Sequence, residues 1–393
     1  MNNLLNQNLI LRGKKVLLRV DLNVPMKNGA ITETSRIEKI LPTIKLLIEK
    51  KAKIILLSHI GRPKGKVVSE MSLEPISKKL SQYLNKEVLF NKNKINENTI
   101  SEINKVSNGS IMMLENIRFN EGEETNDKEF SKKISTLGDI YVNDAFSCSH
   151  RAHASIDGIT KYLPSYFGLQ ITEEINALKK ITSEIKNPIT LIIGGSKIST
   201  KIKIIKNLIK KFDNIIIVGG MANTMLKHTG SNIGKSIYEH NCKNLIKEIL
   251  EKSKSYNCQI NCPIDVVVAK NLAGPGKNKD IKEIEEDDII LDIGSKTILS
   301  IKEIINNSNT VLWNGPAGYF ENPNFENGTK KILEIIKEKN TKNKIFSVAG
   351  GGETVAAINK FNHLNTFTFV STAGGAFLEF LEGKTLPGIK ALN

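Results

Sequence analysis

The sequence is poor in cysteine and aromatic residues, and it has no long apolar run. Its four cysteines, among 393 residues, do not make the dense disulfide framework typical of small secreted domains. No apolar run approaches the ~20 residues that a membrane-spanning helix needs. The asparagine-rich stretch 1–7 lacks the apolar core of a signal peptide. Together these absences predict a cytoplasmic protein with no membrane partner.

The formal net charge of +15 raises the question of nucleic-acid binding. Almost all of the excess is lysine spread along predicted helix faces, and there is no arginine-rich tract. Aromatic residues, at 6%, are too few for a base-stacking platform. These features predict no nucleic-acid partner, whereas a basic surface suits small anionic substrates.

Arginine is rare and unevenly placed, since only six of the 56 basic residues are arginines. All six lie within the first 151 positions: Arg12, Arg19, Arg36, Arg62, Arg118 and Arg151. A planar guanidinium binds a carboxylate or phosphate in bidentate fashion, which an ammonium cannot do. The cluster therefore indicates an acid-binding site in the first half. Arg12 and Arg19 are predicted to form structural pairs instead, because Arg19 lies inside an apolar strand.

Short β-branched runs alternate with amphipathic stretches along the whole chain. The predicted strands are 16–20, 53–57, 88–90, 111–114 and 140–142 in the first half, and 189–193, 215–218, 266–269, 289–291, 311–313, 346–348 and 367–370 in the second. Predicted helices such as 35–50 and 201–211 lie between them. This alternation predicts an α/β fold with two doubly wound, Rossmann-like parallel sheets covered on both faces.

The charged segment 172–186 separates the two sets of strands and is predicted to be a rigid linking helix. We therefore expect an amino-terminal domain over 1–170, a linker helix over 171–188 and a carboxy-terminal domain over 189–375.

In open parallel sheets, ligands bind beyond the carboxyl ends of the strands. The first-half strands run into residue types that grip an acid: Asp21 and Asn23, then Ser58, His59 and Arg62, then Glu115 and Arg118, then Asn143, Asp144 and Arg151. The second-half strands run into glycines at 194–195, 219–220, 315, 350–352 and 374–375. Glycine lets the backbone approach a ligand and point N–H groups at it.

These glycine loops match neither common phosphate motif. GSNIGKS (230–236) has three residues between its glycines where a Walker A loop has four, and no predicted strand precedes it. GGGETV (350–355) lacks the final glycine of a dinucleotide fingerprint, which disfavours a dehydrogenase. Glycines 350–352 nevertheless lead from a strand to a predicted helix start, where an anion can bind.

Charged residues flank the loops. Glu353 lies at that helix start, where a carboxylate can hold Mg²⁺ with phosphates or simply complement the helix dipole. Lys197 and Lys201 are predicted four residues apart on one helix face, where like charges repel. Two like charges at this spacing do not stabilise a helix, so a bound anion between the two lysines is the better explanation of the pair.

Nine stretches match one protein family in order and without large gaps. They are RVDLNVP (19–25), SHIGRP (58–63), LENIRFNEGEE (114–124), NDAFSCSHRAHAS (143–155), GGSKISTKI (194–202), GGMANTM (219–225), WNGPAGYFE (313–321), GGGET (350–354) and STAGGAFLE (371–379). From end to end the chain resembles the phosphoglycerate kinases. The resemblance implies phosphoryl transfer between 1,3-bisphosphoglycerate and ADP, giving 3-phosphoglycerate and MgATP. It also implies an active site in a cleft between two domains, with the last segment, 376–393, folded back on the first domain.

The same resemblance implies which residues form the site. The phosphoglycerate ligands would be Asp21, Asn23, Arg36, His59, Arg62, Arg118 and Arg151. The nucleotide ligands would be Lys197, Lys201, Gly219, Gly220, Leu291, Asn314, Pro316, Gly318, Glu321, Gly350, Gly351, Gly352, Glu353 and Thr354. Glu353 would also hold Mg²⁺.

This chemistry needs no general base, since both possible nucleophiles, a carboxylate and a terminal phosphate oxygen, are already ionised. Catalysis then reduces to positioning and to stabilising charge on the transferring phosphoryl group. Those roles are assigned to Arg36, Lys197, Lys201, Gly351, Gly352 and Gly374. His59 is predicted to be a substrate ligand. Because the two ligands bind to different halves, we expect domain closure, and we expect the protein to act as a monomer.

Four positions depart from the family pattern. Glu353 replaces an aspartate, Ala373 and Ser147 replace glycines, and Tyr319 replaces an aliphatic residue beside the adenine. None of these departures removes a charge, so activity is expected to survive with altered nucleotide or metal affinity.

Other functions remain open at this point. Another acyl-phosphate or carboxylate kinase on the same fold would keep the nucleotide half and change the arginine set. A non-enzymatic binding protein would bind nucleotide without turnover. A zinc site formed by His240, Cys242, Cys258 and Cys262 is disfavoured, because the His-x-Cys spacing is not typical.

Overall fold

The structure is a computed structural model that describes residues 3–4, 9–27, 29–343 and 345–393, and of residue 343 only the backbone. Most of the stretch 1–7, predicted not to be a signal peptide, lies outside these residues. The chain divides into two compact units: Met1–Asn176 with Thr385–Asn393 (unit 1), and Ala177–Lys384 (unit 2). In the described part of the chain, no helix is long and apolar enough to cross a membrane.

Unit 1 follows the predicted alternation of strands and helices. Its elements are β1 (Lys15–Val20), β2 (Met26–Lys27), β3 (Ala30–Ile31), α1 (Ser35–Glu49), β4 (Lys53–Leu57), α2 (Glu74–Leu84), β5 (Val88–Asn91), α3 (Glu97–Asn104), β6 (Ile111–Leu114), α4 (Lys128–Ser135), β7 (Ile140–Asp144) and β8 (Ser165–Phe167). Helix α5 (Leu169–Thr182) then leads into unit 2, and the short helix Pro387–Lys390 belongs to unit 1.

Six strands of unit 1 form one parallel sheet in the order β5-β6-β4-β1-β7-β8. The central strand β1 is almost wholly buried, and α1 packs its apolar positions Ile37, Ile40 and Ile44 into the same core. This spacing of three and four residues is that of a helix with one apolar face. The carboxyl ends of β4, β1 and β7 are therefore adjacent at one edge of the sheet.

Unit 2 is built in the same way and carries an additional small sheet. Its elements are β9 (Ile189–Ile193), α6 (Ile202–Leu208), β10 (Asn214–Ile217), α7 (Gly219–His228), α8 (Lys243–Ser255), β11 (Gln259–Asn261), β12 (Asp265–Ala269), β13 (Lys277–Asp280), β14 (Ile289–Ile293), α9 (Ser295–Asn306), β15 (Thr310–Asn314), α10 (Asn327–Asn343), β16 (Phe346–Gly350), α11 (Gly352–Lys360), β17 (Phe369–Ser371) and α12 (Gly375–Leu381). The parallel sheet has the order β11-β10-β9-β15-β16-β17.

Two parallel, helix-covered α/β sheets confirm the predicted fold class, with one correction. The predicted strands 266–269 and 289–291 do not join the parallel sheet. They correspond to β12 and β14, which pair antiparallel in a three-stranded sheet, β13-β12-β14. Between them the chain contains β13 and the short 3₁₀ helix Ile281–Glu283 but no α-helix, and an antiparallel pairing needs no helical crossover.

The unit boundaries differ by several residues from the predicted domain boundaries. The division falls inside α5, after residue 176, and the chain returns to unit 1 at Thr385 rather than at 376. Helix α12 lies in unit 2, where the Asn207 side chain of α6 donates a hydrogen bond of 2.7 Å to its Leu381 carbonyl. The assignment of one ligand to each unit stays a prediction.

Candidate functional site

Asp21, directly after β1, is the polar centre of the strand ends in unit 1. Its Oδ2 lies 2.5 Å from Nη1 of Arg36 on α1 and also accepts a hydrogen bond from the Ser147 hydroxyl. Its Oδ1 accepts the backbone N–H of Asn23 at 3.0 Å. Burial opposes ionisation, but the charge of Arg36 and these hydrogen bonds outweigh it and lower the pKa of Asp21 to about 2. The carboxylate is thus a permanent negative charge that orients Arg36.

A second set of contacts joins the ends of β1, β4 and β6. The Asn23 side-chain oxygen accepts the Gly61 N–H at 3.0 Å. Arg118, in the 3₁₀ turn Ile117–Phe119, donates from Nη1 to the Gly61 carbonyl at 2.8 Å. Its Nε lies 3.4 Å from an oxygen of Glu124. The predicted acid ligands Asn23 and Arg118 therefore meet at one loop.

His59, two residues after the end of β4, is buried and uncharged. Its Nδ1 lies 3.1 Å from Nη2 of Arg19, and its ring is also close to Asp21 and Cys148. Burial and the positive charge of Arg19 lower the pKa of His59 well below its usual range. A neutral imidazole that accepts at Nδ1 has one N–H left to donate, which suits a ligand better than a general acid.

Two further predicted ligands, Arg62 and Arg151, have exposed side chains. Arg62 follows Gly61 at the end of β4, and the Arg151 N–H donates to the Cys148 carbonyl at 3.0 Å. Exposed guanidinium groups at this edge are free to reach an anion from solvent.

Several other polar groups at the strand ends have a structural role, although the sequence pattern places them with the predicted acid ligands. The Ser58 hydroxyl bridges the Val20 carbonyl and the Leu22 N–H, each at 3.0 Å. Asp144 accepts the Ile171 N–H at 3.1 Å in the first turn of α5, and burial raises its pKa to about 6. These groups position the loops and are not available to a ligand.

In unit 2, Asn314 at the end of β15 links two glycine loops. Its Oδ1 accepts a hydrogen bond from Nζ of Lys201, and its Nδ2 donates to the Gly350 carbonyl at 2.6 Å. The next residue, Gly315, donates its N–H to the Thr354 hydroxyl at 2.8 Å. Burial lowers the pKa of Lys201 to about 8, and the nearby charge of Glu353 partly opposes this shift.

The predicted placement of Lys197 and Lys201 on one helix face is wrong. Helix α6 begins only at Ile202, with Lys201 as its N-cap, and Lys197 is exposed in the loop before it. Ser199 anchors that loop, because its N–H and hydroxyl both donate to the Glu239 carboxylate, at 2.9 and 2.5 Å. The two lysines therefore belong to the loop after β9.

Two glycines next to predicted phosphate loops adopt backbone angles that disfavour other residues. Gly351 has a φ of 100° and Gly374 a φ of 54°. A Cβ on Gly351 would meet the Asn314 side chain at 2.5 Å, whereas one on Gly352 or Gly374 would meet nothing within 4 Å. There is thus open space beside each of these two glycines. Helix α11 begins at Gly352, and its first N–H groups have no partner within the helix.

A cavity of about 430 Å³ lies within unit 2 and has a size typical of small-molecule sites. The predicted nucleotide ligands that line it are Gly219, Gly220, Leu291, Pro316, Gly318, Glu321 and Glu353. The other predicted ligands, Lys197, Lys201, Asn314, Gly350, Gly351, Gly352 and Thr354, are not part of its lining.

Part of this lining is not among the predicted nucleotide ligands. Ile237 and Leu272 line the cavity although their side chains are 63% and 54% exposed, and Pro263 lies with them. Tyr319, noted as a departure from the family, is 41% exposed in the same wall. The signal that identifies Ile237 and Leu272, an exposed apolar side chain facing a cavity, exists only in three dimensions.

Potential metal ligands cluster at two places among the described residues. Ligand atoms of Asp21, His59 and Cys148 lie within 4.8 Å of one another, as do those of Glu285, Asp287 and Asp288. Arginines surround the first group, and Lys270 contacts all three carboxylates of the second. Neither group contains the four residues of the zinc hypothesis.

Arginine-bearing strand ends on one parallel sheet and a lysine with glycine loops on another define a class, the two-unit α/β phosphotransferases. A family model for phosphoglycerate kinase matches residues 6–384. The chain is 46% identical to the phosphoglycerate kinase of Chelativorans sp. (strain BNC1), over 97% of this chain and 96% of that protein. It is 47% identical to that of Dictyoglomus turgidum, over 98% of this chain and 96% of the relative.

Solved structures give the same result. The phosphoglycerate kinase of Coxiella burnetii superposes with a TM-score of 0.90 at 40% identity, covering 98% of this chain and 97% of the other. That of Pyrococcus horikoshii OT3 gives a TM-score of 0.82 at 30% identity, covering 100% and 98%. The chain belongs to the phosphoglycerate kinase family, whose members are phosphotransferases with a carboxyl group as acceptor. The family uses ATP and ADP with Mg²⁺, and its substrates are 3-phosphoglycerate and 1,3-bisphosphoglycerate.

Proposed function

We propose that this chain transfers a phosphoryl group directly and in line between the acyl phosphate of 1,3-bisphosphoglycerate and MgADP, giving 3-phosphoglycerate and MgATP. The main support is the contact between Lys201, Asn314 and Gly350, which gathers a cation and two glycine loops in one unit. Such a group of donors suits the terminal phosphates of a nucleotide.

The acid is assigned to unit 1, where its ligands would be Asp21, Asn23, Arg36, His59, Arg62, Arg118 and Arg151. Asp21 orients Arg36, and the Asn23–Gly61–Arg118 contacts fix the neighbouring loop. Guanidinium groups match both a carboxylate and a phosphate in geometry and charge. A small acid with an anion at each end is therefore the ligand that this set favours.

The nucleotide is assigned to unit 2. The base would occupy the cavity beside Gly219, Gly220 and Leu291, whose walls are mainly apolar. The phosphates would meet the loop before α11 and Lys201. Because this lysine is partly buried, its charge acts in a less polar medium than water, and its attraction for a phosphate is correspondingly stronger.

The residues around the cavity fit a magnesium ion. Asp292 is a poor candidate ligand, because it is buried, its two oxygens already accept the N–H groups of Gly328 and Ile293, and burial raises its pKa to about 7. Glu353 has an exposed carboxylate in the cavity wall beside the start of α11, and it would hold the ion. When bound, Mg²⁺ would neutralise charge on the phosphates.

The protein groups would supply positioning and charge, as the reaction needs no general base. Arg36, Lys197 and Lys201 would stabilise the transferring phosphoryl group together with the N–H groups of Gly351, Gly352 and Gly374. Closure of the two units, a monomeric state and a cytoplasmic location stay predictions.

A coupled assay tests the proposal most directly. The purified chain is given 3-phosphoglycerate and MgATP, and the acyl phosphate is consumed by a dehydrogenase that oxidises NADH. When the acids are compared by the release of ADP from ATP, which does not depend on the dehydrogenase, turnover is expected with this acid and not with acetate or aspartate. Turnover with a different acid only would identify another carboxylate kinase, and nucleotide binding without any turnover would identify a binding protein.

A further inference from the structure

A row of buried polar groups leads from Glu123 to His59 within unit 1. The Glu123 carboxylate accepts the Ser155 hydroxyl at 2.6 Å and the Ser155 N–H at 2.9 Å. The same hydroxyl lies 3.0 Å from Nε of Arg19, whose Nη2 lies 3.1 Å from Nδ1 of His59. Glu123, Ser155 and Arg19 are 0% exposed and His59 is 4% exposed. Solvent therefore does not compete for any of these bonds.

The direction of each hydrogen bond follows from the groups themselves. A guanidinium only donates, so His59 must accept at Nδ1 and carry its proton on Nε2. The Ser155 hydroxyl gives its one proton to Glu123 and accepts from Arg19. Only one arrangement of protons satisfies all three contacts, and it fixes the tautomer of His59.

The row also balances charge. No carboxylate of the described residues contacts the buried Arg19 directly, and Glu123 lies one hydroxyl away, through Ser155. Burial raises the pKa of Glu123, whereas the charge of Arg19 and the two Ser155 hydrogen bonds oppose that shift and favour the ionised carboxylate. His153 lies 3.8 Å from Glu123, but burial lowers its pKa to about 4, so it is neutral at physiological pH. Tyr141 holds the Ser155 carbonyl at 2.7 Å. A buried guanidinium left without this charge would be costly.

We propose that Glu123, Ser155 and Arg19 are positioning residues that hold His59 as a neutral Nε2–H donor toward the phosphoglycerate. The proposal rests on the proposed function in one respect, namely that His59 binds the acid. A neutral N–H donor beside the charged arginines would select an anion by the direction of its hydrogen bond and would add no charge. Nε2 carries this proton in only one of the two neutral tautomers of His59, so the tautomer decides whether the donor exists. Ser155 is the key link, since it joins the two charges without carrying one.

The tautomer can be measured in the unliganded protein, independently of any activity. Nitrogen-15 NMR of the histidines, with His59 assigned from its loss in His59→Gln, distinguishes a protonated from an unprotonated ring nitrogen. We expect wild-type His59 to show an unprotonated Nδ1 and a protonated Nε2 across neutral pH. A protonated Nδ1 would overturn the proposal without recourse to any variant.

Ser155→Ala removes the link and keeps both charges. We expect the Nδ1 signal of His59 to shift toward a mixture of tautomers and the KM for 3-phosphoglycerate to rise about tenfold, the effect of losing one hydrogen bond to a charged partner. The KM for MgATP should stay within about twofold. Ser155→Thr, which keeps the hydroxyl, should restore the His59 signal.

Ser77→Ala is the matched control, because Ser77 is a buried serine of unit 1 whose hydroxyl donates only to the Glu74 carbonyl. It should leave the His59 spectrum unchanged. An unchanged His59 signal in folded Ser155→Ala would overturn the proposal that Ser155 positions His59. If the signal shifts while wild-type protein shows no turnover of 3-phosphoglycerate, the positioning role of Ser155 is supported and the proposed function fails.

Discussion

Lys201 donates a hydrogen bond to the side-chain oxygen of Asn314, which joins the loop after β9 to the end of β15. The side-chain amide of Asn314 in turn donates a hydrogen bond to the Gly350 carbonyl. Lys201 is thereby held at the junction of the glycine loops before any nucleotide arrives. A cation fixed in advance needs little reorganisation during transfer, which is the condition under which electrostatic stabilisation is most effective.

Replacing Lys201 should therefore reduce the rate of the chemical step. We expect Lys201→Ala to lower kcat by roughly 10²–10³, as the loss of one transition-state charge donor typically does. Lys203→Ala is the control, since Lys203 is exposed on α6 and should behave like wild type. An unchanged kcat in Lys201→Ala would remove the assigned role.

The lowered pKa of Lys201, about 8 in the unliganded protein, predicts a pH dependence. The charged form dominates below that pKa and is lost above it, so kcat/KM for MgATP should be level below pH 8 and fall about tenfold per unit above it. Bound phosphates favour the charged lysine, so kcat should hold to higher pH. Lys201→Arg, whose guanidinium stays charged, should abolish the fall. A level kcat/KM up to pH 9.5 in wild type would contradict the assignment.

The fold was predictable from the sequence because its strands are short β-branched runs that are buried in two parallel sheets. Strands such as Lys53–Leu57 and Ile189–Ile193 have the predicted bounds. The antiparallel pairing of β12 and β14 was not predictable in this way, since a buried apolar run has the same pattern in either orientation.

The site was predictable to the extent that it depends on residue type at strand ends. The start of α6 depends instead on Ser199 bonding to Glu239, forty residues away, and no local pattern contains that contact. The bond from Arg19 to His59 is likewise invisible in the sequence, where Arg19 is simply a charged residue in an apolar strand. Long-range hydrogen bonds between side chains therefore limit what could be predicted.

Arg62→Ala should mainly weaken binding of the acid. Its exposed guanidinium is assigned to the substrate rather than to the transferring group, so its contribution should be similar in the ground state and the transition state. We expect the KM for 3-phosphoglycerate to rise by about 10–100-fold, with kcat within about threefold of wild type. Arg12→Ala, at another exposed arginine of unit 1, should change neither constant. A loss confined to kcat would argue against a binding role.

Solution scattering tests the predicted closure. The acid is assigned to unit 1 and the nucleotide to unit 2, so transfer requires the reacting atoms to be brought together. We expect the radius of gyration to decrease when 3-phosphoglycerate and MgADP, a non-reacting pair, are both present. Each ligand alone serves as the control and should produce a smaller change. Equal curves with and without the pair would count heavily against closure.

Glu353 connects metal binding to the charge of Lys201, and its removal should affect both. Glu353→Gln deletes the carboxylate assigned to Mg²⁺, so the Mg²⁺ concentration for half-maximal activity should rise about tenfold, as expected for the loss of one charged ligand. Because the charge of Glu353 raises the pKa of Lys201, its loss should also move the alkaline fall in kcat/KM to lower pH. Glu353→Asp keeps the charge on the shorter arm usual in the family and should preserve the pH profile. Glu251→Gln, at an exposed glutamate on α8, is the control for a simple change of net charge. A shift in the Mg²⁺ requirement without a shift in the pH profile would separate the two roles, and the absence of both would place Glu353 outside the site.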